Sequence, residues 1–255
     1  MILTHTRTWA LALPLACLHC TSADQAPPAP SPDAAPTRSE ATERPEAFEL
    51  RGTIELRPLA DDSELALTLA KGPLPAGVQA RLENYGSEPK TGVAFTADDL
   101  STLQAWSREL ETQRLPQMRI AFEKTAATQP TSLSRPLHKG WQLHLVRTDD
   151  GFVVHDATGT LTADQYTAQP QVQVDLTPED GQRFADLSER MVDRKLAIIL
   201  DDRVISAPLV RERIDGGTFI ITLGSTDGGP QEARSLVAKL AGVPISEVVL
   251  PTSDE

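Results

Sequence analysis

The run from Gln171 to Leu240 constrains the fold more than any other. It sets a two-residue alternation, a helical period and an unbroken apolar strand one after another. Val172, Val174 and Leu176 alternate with Gln171, Gln173 and Asp175, which predicts a strand with one buried and one wet face. Thr177 can cap the helix that follows, Pro178 suits its first position, and Glu179 and Asp180 favour its positive end. Phe184, Leu187 and Met191 then share one helical face.

Leu196 to Leu200 is apolar throughout, as expected of a central strand covered on both sides. Asp201-Asp202 makes the turn, Val204 to Ala207 returns, and Pro208 limits further pairing. Phe219 to Leu223 adds a strand after Asp215-Gly216-Gly217. A helix from about Pro230 to Leu240 then buries Ala233, Leu236, Val237 and Leu240 and stops at Gly242 and Pro244.

The blocks LTPEDGQRFADLSERM, LAIILDDRVISAPLV, IDGGTFIITL and EARSLVAKLAGVP carry a resemblance. They are similar to the head subdomain in the first large periplasmic domain of SecD and SecDF, the membrane accessories of the Sec protein-export channel. The likeness covers roughly Leu143 to Val249, and the Ile205-Ser206-Ala207-Pro208 block is its most specific part. Asp202 stands where that family usually has a turn glycine. The resemblance implies a role outside the cytoplasm, contacting unfolded polypeptide or the Sec machinery. SecD relatives continue into several membrane helices with proton-coupling polar residues. None follows Leu250 here, so a complete translocation motor is not expected.

Residues 1–20 have the shape of a signal peptide, with Arg7 before an apolar run from Trp9 to Leu18. Leu13-Pro14-Leu15-Ala16-Cys17 resembles a bacterial lipobox, which makes Cys17 the expected lipidated N-terminus; Pro14 departs from the usual leucine. Cys20 is the weaker candidate, because His19 would occupy the cleavage position, and an ordinary secretory signal is the plain alternative. Leu18 after Cys17, in place of an aspartate, resembles Gram-negative lipoproteins sent to the outer membrane. Both cysteines lie in this segment, so no internal disulfide or thiolate metal site is expected in the folded part.

Residues 21–47 are rich in Pro, Ala, Ser, Thr and Glu and read as an extended tether. Residues 48–125 form an expected N-terminal α/β unit. It has strands at Ile54 to Leu56 and Leu65 to Leu69, a helix capped by Thr96 that buries Leu100, Leu103, Trp106 and Leu110, and a strand from Met118 to Phe122. Residues 126–139 read as a linker and 140–255 as the head-like domain. That domain opens on a hairpin of Trp141 to Val146 with Phe152 to His155 across Asp149-Asp150-Gly151, and it is expected to fold alone. The fold class is α/β (α+β), with mixed or antiparallel sheets each packed by one or two helices.

A formal net charge of -12 opposes binding to nucleic acid or to anionic lipid headgroups. Membrane attachment would then come from acyl chains. His138, His144 and His155 lack metal-ligand spacing, so no metal site is expected. Asp201, Asp202 and Asp215 sit where turns favour aspartate for its local hydrogen bonds. Gly224 to Pro230 lacks the Lys-Ser/Thr of a phosphate loop and reads as a helix entry. Ser206 has no nucleophile-elbow frame, and Tyr166 reads as core. No catalytic residue and no cofactor is expected, and the oligomeric state is not legible.

The reading is a lipid-anchored extracytoplasmic binding module. The alternative is a structural envelope lipoprotein that reuses the fold with no export role. An apolar groove beside Val204 to Pro208 favours the first, and an evenly charged surface there favours the second.

Overall fold

A computed structural model of the chain describes residues 47–87, 90–113, 115–125, 139–166, 169–223 and 229–251, all within one compact unit, Arg44–Glu255. Cys17, Cys20, His138, most of the Gly224 to Pro230 stretch and all but the last residue of each expected linker lie outside the described residues. The elements are β1 (Ala47–Glu49), β2 (Ile54–Pro58), α1 (Glu64–Lys71), β3 (Gln79–Tyr85), β4 (Lys90–Ala97), α2 (Leu100–Thr112), β5 (Met118–Thr125) and β6 (Gly140–Arg147). There follow β7 (Phe152–Val154), β8 (Ala157–Ala163), β9 (Pro170–Leu176), α3 (Pro178–Arg190), β10 (Leu196–Leu200), β11 (Arg203–Ser206), β12 (Thr218–Thr222) and α4 (Gly229–Ala241).

Two sheets organise them, one of four strands in the order β1-β8-β9-β12 and one of eight in the order β3-β4-β6-β5-β11-β10-β2-β7. The four-stranded sheet is antiparallel throughout; the other is mixed, through the parallel pair β5 and β11. This is the α+β class expected. The largest core lies among α3, α4, β9, β12 and one face of β2 and β10, with Leu56, Val172, Leu187, Ile221 and Leu240 nearly sealed from water. A second core gathers Phe95, Leu103, Trp106, Leu110 and Leu143 beneath α2. The reverse face of the large sheet buries Ala121, Val146, Ala197, Ile199 and Val204.

The Gln171 to Leu240 run folds as its pattern requires. Thr177 Oγ1 accepts from the Asp180 amide, Pro178 opens α3, and Phe184, Leu187 and Met191 are buried. Gly242, at φ +65°, ends α4 where the Val243 amide bonds back to the Ala238 carbonyl.

Asp201 and Asp202 have φ of +48° and +66°, the left-handed pair that a two-residue hairpin turn requires, and Leu200 faces Arg203 across them. Asp202 Oδ1 also accepts from Arg119 Nη1 at 2.9 Å, a contact that no local pattern announces. Asp202→Gly should therefore shift stability by less than about 0.5 kcal/mol, since the easier backbone is offset by loss of an exposed ion pair. Asp202→Val should cost about 1 to 2 kcal/mol, because a β-branched side chain fits left-handed backbone badly. Chemical denaturation of both variants beside the parent checks the pair.

Four expectations are corrected. Leu65, Leu67 and Leu69 lie in α1, not in a strand: Ser63 Oγ accepts from the Ala66 amide and starts a helix of strong helix formers. Thr96 does not cap α2; it is buried within β4, and Asp99 takes the role by accepting from the Thr102 amide at 2.9 Å. The strands β6 and β7 exist but do not pair with each other. β6 lies between β4 and β5, and β7 adds to β2. Gly151, at φ +89°, permits this, since a Cβ there would sit 2.2 Å from the Leu56 carbonyl oxygen. Tyr166 is 87% exposed and is not core.

The eight-stranded sheet also crosses the boundary read between 48–125 and 140–255. β2 pairs along β10, β5 pairs with β11, and β6 completes the sheet between β4 and β5. Among the described residues no helix is long and apolar enough to cross a membrane.

Candidate functional site, a cleft between β11 and α4

The hairpin of β10 and β11 presents Ile205 towards α4, because Arg203 and Ile205 share the sheet face that carries Leu200 and Phe122. The cleft between them has a cavity of about 60 Å³ floored by Leu200, Ile205, Leu223 and Leu236. Its rim is charged, with Lys124, Arg203, Glu232 and Lys239. Glu232, Leu236 and Lys239 reach it together because they fall four and three residues apart on α4.

Glu232 joins the two sides of the rim. Its carboxylate accepts from Lys124 Nζ at 3.1 Å and from Arg203 Nη2 at 3.0 Å. The Arg203 guanidinium lies 5.4 Å from the Trp141 ring centre, and its buried Nε has no hydrogen-bond partner among the described residues. Three cations and one carboxylate leave the rim net positive on a chain whose formal charge is -12. An apolar floor under a positive rim suits a segment of apolar and acidic side chains.

The other residues singled out in the sequence do not converge on this cleft. His144 Nε2 lies 2.7 Å from Glu123 Oε2 within the sheet, and His155 is exposed at the end of β7. Among the described residues no group of three or more His, Cys, Asp or Glu is placed to hold a metal ion. Asp215 accepts from Arg213 Nε at 2.5 Å, and Asp201 and Asp202 make the hairpin turn. Ser206 closes β11 opposite Ile198, beside an irregularity in the ladder. Of the specific block, only Ile205 lines the cleft. Sequence reading missed Lys124, Arg203, Glu232 and Lys239, although the spacing of Glu232, Leu236 and Lys239 was an available signal.

Residues 145–243 match the family described as SecDF, P1 head subdomain. The chain carries a SecD head-like domain. Curated relatives align over about a third of the chain. The protein translocase subunit SecD of Acidaminococcus fermentans is 39% identical over 89 residues, 34% of this chain and 21% of that protein. The protein translocase subunit SecDF of Thermus thermophilus is 35% identical over 83 residues, 32% of this chain and 11% of that one. The chain thus spans about a fifth or less of these relatives. A solved structure of SecDF in its super-membrane-facing form aligns with 78% of this chain and 29% of that one, at 23% identity and a TM-score of 0.29. In the SecD head-like domain the cleft lies between the hairpin that bears the Ile205-Ser206-Ala207-Pro208 block and the last helix of the matched region.

Proposed function

We propose that this protein is an extracytoplasmic binding module that engages extended, unfolded polypeptide during protein export. The observation that carries the reading is the cleft beside Ile205, apolar at its floor and positive at its rim, lined by the segment that matches the SecDF P1 head together with Lys124 from β5. The curated relatives are protein translocase subunits, which supports export as the setting. The proposal includes attachment to the envelope through a lipid on Cys17, at the periplasmic face of an outer membrane, and rests there on the Leu15-Ala16-Cys17 pattern. No reaction is assigned to the cleft. Lys124 and Arg203 are paired to Glu232 across the rim, and the role these groups suit is holding a chain.

Photo-crosslinking tests it. Benzoylphenylalanine placed at exposed Lys239 should capture reduced, carboxymethylated lactalbumin, an unfolded acidic polypeptide. The same group at Glu111, exposed on α2, should not. Equal capture from both positions, or none from Lys239, would count against the proposal.

A further inference from the structure

Among the described residues the two sheets have four edges, and they are not alike. β1 and β7 are three residues long, too short to template a partner strand, and β3 carries Arg81 and Glu83 along its length. β12 is different: Thr218-Phe219-Ile220-Ile221-Thr222 has no charge and no proline, and Ile220 is 51% exposed. These are the features by which proteins usually guard an edge, and β12 lacks them.

The ladder fixes which backbone groups of β12 are open. The Leu223 amide bonds the Pro170 carbonyl and the Leu176 amide bonds the Gly217 carbonyl, at the two ends of the register that pairs Ile221 with Val172. Residues 217, 219, 221 and 223 therefore turn their N–H and C=O groups to β9, and Thr218, Ile220 and Thr222 turn theirs outward. Among the described residues no strand pairs with that side. One end of the edge opens onto the cleft, since Thr222 and Leu223 line it together with Arg203 and Lys239.

We infer that β12 takes up an extended client segment as a fifth strand of the four-stranded sheet, and that the segment alternates apolar and acidic residues. The inference rests on the polypeptide-binding reading and deepens it. Backbone pairing with Thr218, Ile220 and Thr222 supplies sequence-tolerant affinity. The added strand's side chains alternate between the sheet's two faces: an apolar residue on one face packs on exposed Ile220, and an acidic residue on the other meets the positive rim at Arg203 and Lys239. A second copy of this chain is the less favoured occupant, because two acidic chains repel and an uncharged β12 offers the positive rim no counter-charge.

The probe is a fluorescein-labelled decapeptide of alternating valine and glutamate, titrated by anisotropy against the full chain. Ile220→Pro removes an outward donor and spares the ladder to β9, so it should weaken binding about tenfold, while Ile220→Thr, which keeps the donor, should stay within about threefold. A valine–lysine peptide should bind at least tenfold more weakly than the valine–glutamate one. Amide exchange in the unaltered protein gives a readout that needs no variant: saturating peptide should slow exchange at Ile220 and Thr222. Unchanged exchange there, or Ile220→Pro binding like the parent, overturns the edge assignment. If lactalbumin still binds in that case, the broader reading stands; if the parent binds neither probe, both fail. A dimer that Ile220→Pro converts to monomer and the peptide cannot dissociate would show a second copy as the occupant and overturn the inference.

Discussion

Replacing Lys195 with methionine is expected to cost about 3 to 5 kcal/mol of folding stability, the range for stripping one partner from a buried ion pair. Lys195 immediately precedes β10, and its ammonium donates to Glu83 Oε2 at 2.6 Å and lies 3.2 Å from Asp61 Oδ2 and 4.8 Å from the Tyr85 ring centre. Tyr85 donates its hydroxyl proton to Asp61 Oδ1 at 2.9 Å, and Arg81 pairs with Glu83. Asp61 Oδ2 is buried with no hydrogen-bond partner among the described residues, so the ammonium is its main compensation. Methionine fills much the same space and leaves Asp61 and Glu83 facing each other in a poorly solvated site.

The pH dependence follows from the same contacts. Burial alone would push the Lys195 ammonium below its ordinary value of 10.5, but Asp61 and Glu83 outweigh it and hold it above. A raised folded value contributes stability that is fully present below the ordinary value and lost as pH rises through the folded one. Burial likewise works to raise Glu83, and Lys195 and Arg81 outweigh it, leaving the carboxyl below its ordinary 4.5. That contribution is present above the ordinary value and lost as pH falls through the folded one. The gap between parent and Lys195→Met should thus be widest between the carboxylate and lysine ranges and shrink at both extremes, starting from above about pH 5 on the acid side because methionine leaves the buried carboxylates uncompensated. Urea denaturation across pH measures it. Burial and the nearby Asp61 carboxylate raise the Tyr85 phenol well above its ordinary range, so it stays protonated throughout.

The second large effect concerns residues 140–255 expressed alone. The sequence suggests a self-sufficient domain there. The structure gives β10 five paired positions on β2, places β11 against β5, and sets β6 between β4 and β5, all supplied by residues before 126. Cutting there strips a neighbour from β6, β7, β8, β10 and β11 at once and exposes Ile198, Leu200, Leu143 and Leu145. The fragment should show no cooperative thermal transition and should be cleaved by protease under conditions where residues 48–251 survive. A sharp transition in the fragment would mean that the two halves do not depend on the shared sheet.

The sequence revealed local order well and long-range pairing poorly. Thr177-Pro178 and the Phe184, Leu187, Met191 spacing define α3 within one short stretch, and the apolar run Leu196 to Leu200 reads as the central strand it forms. β4 went unread because Val93 to Ala97 is buried on both faces and so carries no alternation, and β8 because its Thr, Gly and Ala residues give little contrast. The same limit hid the cleft. Lys124 and Glu232 lie 108 residues apart and meet only because β5 sits beside β11. Nothing within either segment foretells that pairing. The pairing of β2, β4 and β5 with strands after residue 139 was hidden in the same way, since a Thr- and Pro-rich stretch in a sequence carries no information on which strands pair across it.

The central claim is that the cleft beside Ile205 holds extended polypeptide, and titration of carboxymethylated lactalbumin against two cleft variants tests it most directly. Leu236→Glu puts a charge on the apolar floor beside Glu232, and Ser235→Trp fills a cavity of about 60 Å³ from the half-buried side of α4. Each should weaken binding by at least about tenfold, with the thermal midpoint of Ser235→Trp close to the parent's. Undiminished binding by both variants would contradict the account.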